Sequence, residues 1–339
     1  MRNACHQTHF KSIVGRAARA LGAVLCLALA YSHGPAYAQT AERPPMVAAQ
    51  TELLELSSGH GFVEGPAVDA DGTLFFTDLG NGTINALRAG ALSVFRSSRA
   101  DAANGLSFDG QGRLYACEGG SGRVTRTEAD GRLTVLADQF EGTRFNAPND
   151  LAIASDGSVY FTDPYFGSRT AQPQPVTGVY RIAADGSVDL VISYLDRPNG
   201  IALSPDESTL YVTNDNPAGI GEIHVFDVGS DGMPRNGRLF ATAASVMDGM
   251  AIDASGTLYA TSFVSGRTSS GRGVWVFASD GQHLGLIPIP EQPTNCTLAH
   301  STLYITASTR VFSIALNLPA TNTAVQRITW AQIKKIERP

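Results

Sequence analysis

Six oxygen-bearing side chains recur at one register in this 339-residue chain: Glu64, Asn104, Asn149, Asn199, Asp248 and Asn295. Each stands at the head of an apolar run that is followed by a turn and a second apolar run. One such residue, for example Asn199 before Gly200, reads as a turn former. Six in equivalent places ask for chemistry. Two carboxylates and four carboxamides gathered at one point are costly when dry and unpaired. A divalent cation relieves that cost, and Ca²⁺ accepts carboxylate and carboxamide oxygens in a flexible shell. The set holds no His or Cys, which disfavours a thiol- or imidazole-rich zinc site. Glu64 and Asp248 would supply the negative charge, Asn149 and Asn199 neutral oxygens, and water the remainder.

The elements that must bring these residues together are legible as a repeat. "VEGPAVDADGTLFFTD", "ANGLSFDGQGRLYACE", "PNDLAIASDGSVYFTD", "PNGIALSPDESTLYVTN", "MDGMAIDASGTLYATS" and "TNCTLAHSTLYITAS" are six copies spaced by 40 to 50 residues. Each reads as two strands joined by a tight turn. A third strand follows each copy, from "TINALR" to "RVFSIAL", and a fourth precedes the next, from "SVFRSS" to "LGLIPI". Four antiparallel strands at this period predict an all-β, six-bladed β-propeller with one domain over 51–339. The sixth copy lacks a clear fourth strand, while "ELLELSS", 52–58, is an orphan before the first. Ring closure by this N-terminal strand is the simplest reading, because it removes a raw edge. The tail "QRITWAQIKKIERP" is a second candidate for the same place. First strands line a propeller's channel, so the six residues form a ring at its mouth.

The second strands return to the same end and exit through Asp78, Glu118, Asp163, Asn214 and Asp215. These side chains either back the ring from behind or cap turns. No G-x-S-x-G elbow and no H-E-x-x-H motif is present. His60, His224, His283 and His300 lack metal-ligand spacing, though His60 and His300 lie near enough in sequence to reach a site.

The first 38 residues predict a secretory signal peptide. Arg2, Lys11, Arg16 and Arg19 form a basic start without acids, residues 21–30 are apolar, and "AYAQ" offers cleavage after Ala38. A short linker over 39–50 would follow. The protein would then be periplasmic or secreted, without a membrane span after cleavage. Removing four positive charges from the formal −6 leaves about −10, which argues against nucleic acid or an anionic membrane as partner. Beyond the leader, lysine occurs only as Lys334 and Lys335, so a Schiff-base lysine inside the fold is excluded. Cys117 and Cys296 belong to non-adjacent blades and are expected as separate thiols.

The ordered pieces "EGP" at Glu64, "NGLSFDGQGRLYACEGG", "RFNAPNDLAIASDGSVYFTDP", "RPNGIALSPDESTLYV" and "DGM" at Asp248 resemble the SMP-30/gluconolactonase family of calcium- or zinc-dependent six-bladed propellers. The resemblance spans nearly all of the chain after the leader. It implies that Glu64, Asn149, Asn199 and Asp248 hold the metal and that the reaction is lactone hydrolysis. It implies a substrate-binding or proton-transfer role for Asp150 and a substrate contact at Arg144; beside it, the ring residues are read as giving Asp248, with Asp150, the catalytic carboxylates and Asn104 and Asn295 further substrate contacts. Ca²⁺ is the first expectation for the cation, with Zn²⁺, Mg²⁺ or Mn²⁺ as alternatives. A small-molecule substrate and a monomer or dimer are expected. Ala67, Gly119 and Ala251 depart from "GPVW", a His after "CE", and "DGMR" of many relatives, which implies thinner, less basic substrate walls. Rival readings are phosphotriester hydrolysis on the same site and a non-catalytic, metal-stabilised propeller for binding or sensing.

Overall fold

In the computed structural model the described residues are 42–167, 169–216, 218–243, 245–263 and 271–318. The chain divides into two units, Met1–Gln39 and Thr40–Pro339. The predicted leader, its cleavage point and the tail "QRITWAQIKKIERP" lie outside the described residues.

The described part of the second unit is built from strands, with one 3-10 turn at Arg169–Ala171. Six four-stranded antiparallel sheets form the blades of a β-propeller. Blade 1 comprises Val63–Val68, Leu74–Asp78, Thr83–Arg88 and Ala91–Ser97. The inner strands of blades 2 to 5 are Ala103–Phe108, Leu151–Ile153, Pro198–Leu203 and Val246–Ile252. Blade 6 contains Pro293–Ala299, Thr302–Ala307 and Arg310–Ala315, and its outermost strand is Leu54–Ser58. Closure by the N-terminal strand is therefore the observed topology, with Leu54 opposite Ser313 and Ser58 opposite Arg310. Residues 42–50 are also seated on the ring. The Leu286 amide donates to the Glu42 carbonyl at 3.1 Å, and Val47 is buried against blades 5 and 6.

The turns explain the repeat's spacing. At 69–73 the Gly72 amide donates to the Asp69 carbonyl, and Gly72 takes φ +80°. In the fourth copy the additional residue lets Glu207 take that left-handed place at φ +58°. In the shortened sixth copy His300 takes it at φ +55°. Gly, Asn, Asp and His enter this conformation more readily than other residues, so His300 suits its place, while Glu207 is held there by the strands on either side.

Blades pack through large buried side chains on alternating strand positions. Phe145, Phe161, Tyr180 and Cys117 share one cluster between blades 2 and 3, with Phe145 and Phe161 edge-to-face at 5.0 Å. Both Cys117 and Cys296 are free and buried. Burial pushes both thiols up, away from reactive thiolate.

Candidate metal and catalytic site

A local irregularity aims the ring residues. In blade 1, Glu64 is opposite Thr77 but Ala67 is opposite Phe75, so one extra residue is inserted after Glu64. The same bulge occurs between Ala103 and Leu106, Pro198 and Ile201, and Met247 and Met250. It falls on Asn104-Gly105, Asn199-Gly200 and Asp248-Gly249. A bulge interrupts the alternation of side chains and re-aims the residue it contains. Simple period-two alternation cannot turn both Glu64 and the apolar residues after it inward; the bulge can.

Glu64, Asn149, Asp150, Asn199, Asp248 and Asn295 are all buried. Asn104 is half-buried, yet its Oδ1 is buried and has no hydrogen-bond partner. Burial raises the Glu64 carboxyl above the usual range, and the neighbouring Asp150 adds to this, against one backbone donor, the Gly65 amide. Asp248 is pushed well up by burial and then by Glu64, Asp215 and Asp150; a hydrogen bond from Asn199 opposes this. Asp150 is raised to about 6 by burial, moderated by the Leu151 amide, the Asn295 side chain and the Ile201 amide. Several carboxylates thus crowd one dry place without a neighbouring Lys or Arg among these influences.

Asp150 and Asn295 meet. Asn295 Nδ2 donates to Asp150 Oδ2 at 3.2 Å, and Asn295 Oδ1 accepts from the Cys296 amide at 2.7 Å. Blades 3 and 6 are opposite in a ring of six, so this contact crosses the channel axis. Glycines make room for it. A Cβ on Gly105 would come within 2.5 Å of Asp150 Oδ1, and one on Gly249 within 2.0 Å of Asn295 Cγ. Beneath the crossing lies a cavity of about 260 Å³ lined by residues that include Ala152, Ala202, Met250 and Leu298.

The strand-exit residues hold the segments that enter the ring. Asp78 accepts from the Gly61 and Phe62 amides, ahead of Glu64. Asp163 accepts from the Asn146 and Ala147 amides at 2.9 and 2.8 Å, ahead of Asn149. Asn214 accepts from the Arg197 amide at 2.8 Å, ahead of Asn199, and Asp215 from the Met247 amide at 3.3 Å, ahead of Asp248. Glu118 is different: buried in blade 2, it is bound by Arg96, Arg123 and Thr125.

Arg144 is exposed, and its guanidinium donates to the Gly120 carbonyl at 3.1 Å. His60 lies beside Ser57 and Asp78, and His300 sits at the hairpin tip, the end of its blade opposite Asn295. Ala67 and Ala251 are buried in clusters between blades, and Ala251 also lines the cavity beneath the crossing. Gly119 does face usable space: a Cβ there would reach the Pro148 carbonyl at 3.4 Å, one residue from Asn149.

The profile of the SMP-30/Gluconolactonase/LRE-like region matches residues 62–309. The chain belongs to this family. A gluconolactonase from Zymomonas mobilis is 35% identical over 235 residues, which cover 64% of this chain and 64% of that protein. The lactonase drp35 of Staphylococcus aureus is 29% identical over 247 residues, covering 70% and 72%. The solved structure of a gluconolactonase from Xanthomonas campestris superposes with a TM-score of 0.71 at 36% identity, covering 81% of this chain and 95% of that one. A calcium-binding regucalcin from Agrobacterium tumefaciens, 20% identical with a TM-score of 0.63 over 80% and 96% of the chains, shares the fold.

Within this SMP-30/gluconolactonase member, the oxygen donors suit a hard cation. Among the described residues no three His, Cys, Asp or Glu side chains form a metal-holding group. The ring instead combines two carboxylates with carboxamides, one of which presents the unpaired Asn104 Oδ1. The threonines one place before the strand exits, in "FTD", "VTN" and "ATS", also adjoin the ring, and their recurrence is the sequence signal for them.

Proposed function

We propose that this protein hydrolyses lactones in the manner of a gluconolactonase, with a divalent cation, Ca²⁺ first, in the mouth of the central channel. The observation that carries the reading is the convergence of buried Glu64 and Asp248 on Asp150 and the carboxamides, in a family with gluconolactonase relatives. Glu64, Asn149, Asn199 and Asp248 would hold the cation. When bound, it would polarise the lactone carbonyl and favour the developing oxyanion.

The side chains have distinct tasks. Asp150 is held from two sides, by the Leu151 amide on Oδ1 at 2.9 Å and by Asn295 on Oδ2. A carboxylate fixed in this way can accept a proton from an attacking water. The water oxygen joins the carbonyl carbon, the ring C–O bond breaks, and the alkoxide leaving group takes up a proton. Asp248 is the second candidate for the base, or for direct attack as a carboxylate nucleophile. Asn104 Oδ1, free of any protein partner, is suited to accept from a substrate hydroxyl.

Calorimetric titration of metal-stripped protein with Ca²⁺, Zn²⁺, Mg²⁺ and Mn²⁺, followed by assay on lactones and phosphotriesters, tests the reading. Cation-dependent turnover of lactones is expected. Turnover of phosphotriesters alone would replace the substrate class, and cation binding without turnover of either would leave a binding propeller. The leader over 1–38 is proposed to direct export to the periplasm or medium. N-terminal sequencing of the exported protein should begin at Gln39.

A further inference from the structure

The ring residues are joined to one another by buried hydroxyls on the second strands. Thr77, Thr162, Thr213, Thr261 and Thr306 occupy the same register in blades 1, 3, 4, 5 and 6, and all are fully buried. Cys117 takes that place in blade 2. Thr77 Oγ1 donates to the Asn104 carbonyl of the next blade at 3.0 Å. Thr162 Oγ1 donates to the Asn199 carbonyl at 2.6 Å while accepting from the Asp150 amide at 3.1 Å. Thr213 Oγ1 donates to the Asp248 carbonyl at 2.8 Å while accepting from the Gly200 amide at 2.7 Å.

Thr261 lies 2.9 Å from the Thr294 carbonyl, and the ring closes where Thr294 Oγ1 donates to the Val63 carbonyl at 2.7 Å. At Cys117, the junction is made directly: the Gly105 amide donates to the Asn149 carbonyl at 2.7 Å.

We propose that Thr162 and Thr213 are positioning residues that set the spacing of Asn149-Asp150, Asn199 and Asp248, and through it cation affinity and turnover. This rests on the metal-dependent lactonase reading above. The argument is geometric. A hydroxyl that donates once and accepts once fixes two peptide groups relative to each other. Here those peptides belong to adjacent blades and each adjoins a ring residue. Apolar packing between blades is non-directional, whereas these bonds are directional and run between the backbones that carry the oxygens. Three consecutive members of the ring thus hang on two hydroxyls.

The test compares Thr162→Val and Thr213→Val with Thr162→Ser and Thr213→Ser. Valine keeps the shape and removes both bonds; serine keeps both bonds and removes a methyl. Thr125→Val is the stability control, because Thr125 is equally buried but its hydroxyl donates to the Glu118 side chain at 2.9 Å, away from the ring. Loss of a group that orients a metal ligand typically weakens metal binding or activity by about 10- to 100-fold. The valine variants, assayed while folded, should show that loss in Ca²⁺ affinity by calorimetry and in kcat on δ-gluconolactone. The serine variants should retain both, and Thr125→Val should lower the melting temperature without either loss. If the wild type binds Ca²⁺ and turns over but the valine variants match it, the inference is overturned. It is equally overturned if Thr125→Val reduces Ca²⁺ affinity as much as they do. A wild type that neither binds a divalent cation nor hydrolyses the lactone overturns the underlying reading, and the inference with it. Should the valine variants not fold, Thr162→Ala and Thr213→Ala are read in their place by the same criteria.

Discussion

Asn295 offers a sharp test, because side-chain size and side-chain charge make opposite predictions there. Asn295→Asp is nearly isosteric, whereas Asn295→Leu removes all polarity. Size alone favours aspartate. The structure favours leucine. In the wild type, Asn295 Nδ2 donates to Asp150 Oδ2 at 3.2 Å and Oδ1 accepts from the Cys296 amide. Leucine leaves Asp150 Oδ2 and the Cys296 N–H without partners, at about 1–3 kcal/mol each. Burying the leucine side chain returns about 1.5–3 kcal/mol. The net loss is therefore about 0.5–3 kcal/mol.

Aspartate keeps the bond from Cys296 but sets a second carboxylate against Asp150. Two unit charges at the 3.2 Å of this contact repel by about 5 kcal/mol at an effective dielectric of about 20. The pair would then hold one proton, as close carboxylates do. Folding binds that proton, so the variant's stability is present at low pH and lost as pH rises through the pair's raised pKa. Urea denaturation with chelator at about pH 5 and pH 7.5 should show Asn295→Asp weaker than Asn295→Leu at the higher pH, with the gap closing at the lower. Added Ca²⁺ should restore part of the loss only in the aspartate variant. If aspartate costs under about 0.5 kcal/mol at pH 7.5, the Asp150–Asn295 crossing is refuted.

Three further outcomes follow from the same geometry. Asp248→Asn should lose the Ca²⁺-dependent rise in melting temperature and about a hundredfold or more in turnover. With chelator it should be no less stable than wild type, because Glu64, Asp215 and Asp150 crowd that carboxylate; thermal melts with and without Ca²⁺ check this, and a wild-type response sinks the ligand assignment. Deleting 52–58 should expose the Arg310–Ala315 edge and give insoluble or strand-exchanged protein; size-exclusion chromatography showing an equally stable monomer would contradict that. Burial works against Asp78, but the Phe62 and Gly61 amides and Asn81 hold its carboxyl below the usual range. Its contribution is thus present above about pH 4 and fades as the pH falls. Asp78→Asn should cost about 1–3 kcal/mol at pH 7 and flatten the acid limb of the stability curve, as read by denaturation across pH 2–7.

The repeat, the blade count, the N-terminal closure and the register of Glu64, Asn104, Asn149, Asn199, Asp248 and Asn295 were all legible in the sequence. The reason is local: alternation, turn chemistry and period are properties of neighbouring residues. Reading the strand-exit residues as caps was also open from sequence, but not which backbone each one caps. Asp215 reaches forward to Met247 in the next blade, while Asp163 reaches back to Asn146 in its own.

What only tertiary structure decided depends on the ring being closed. The bulges that aim Glu64 and Asp248 are differences between paired strands, invisible in either strand alone. Asp150 and Asn295 stand 145 residues apart and touch because blades 3 and 6 face each other across a narrow axis. Asn295, read from the sequence as a substrate contact, has its amide on Asp150 and its side-chain carbonyl oxygen on the Cys296 amide, neither of which the sequence alone shows. Ala67 and Ala251 are packed into clusters between blades, and Ala251 also lines the cavity beneath the crossing, a placement set by the neighbouring blades rather than by the strand that carries it. Sequence determined which residues arrive at the mouth of the channel; closure of the ring decided which of them touch.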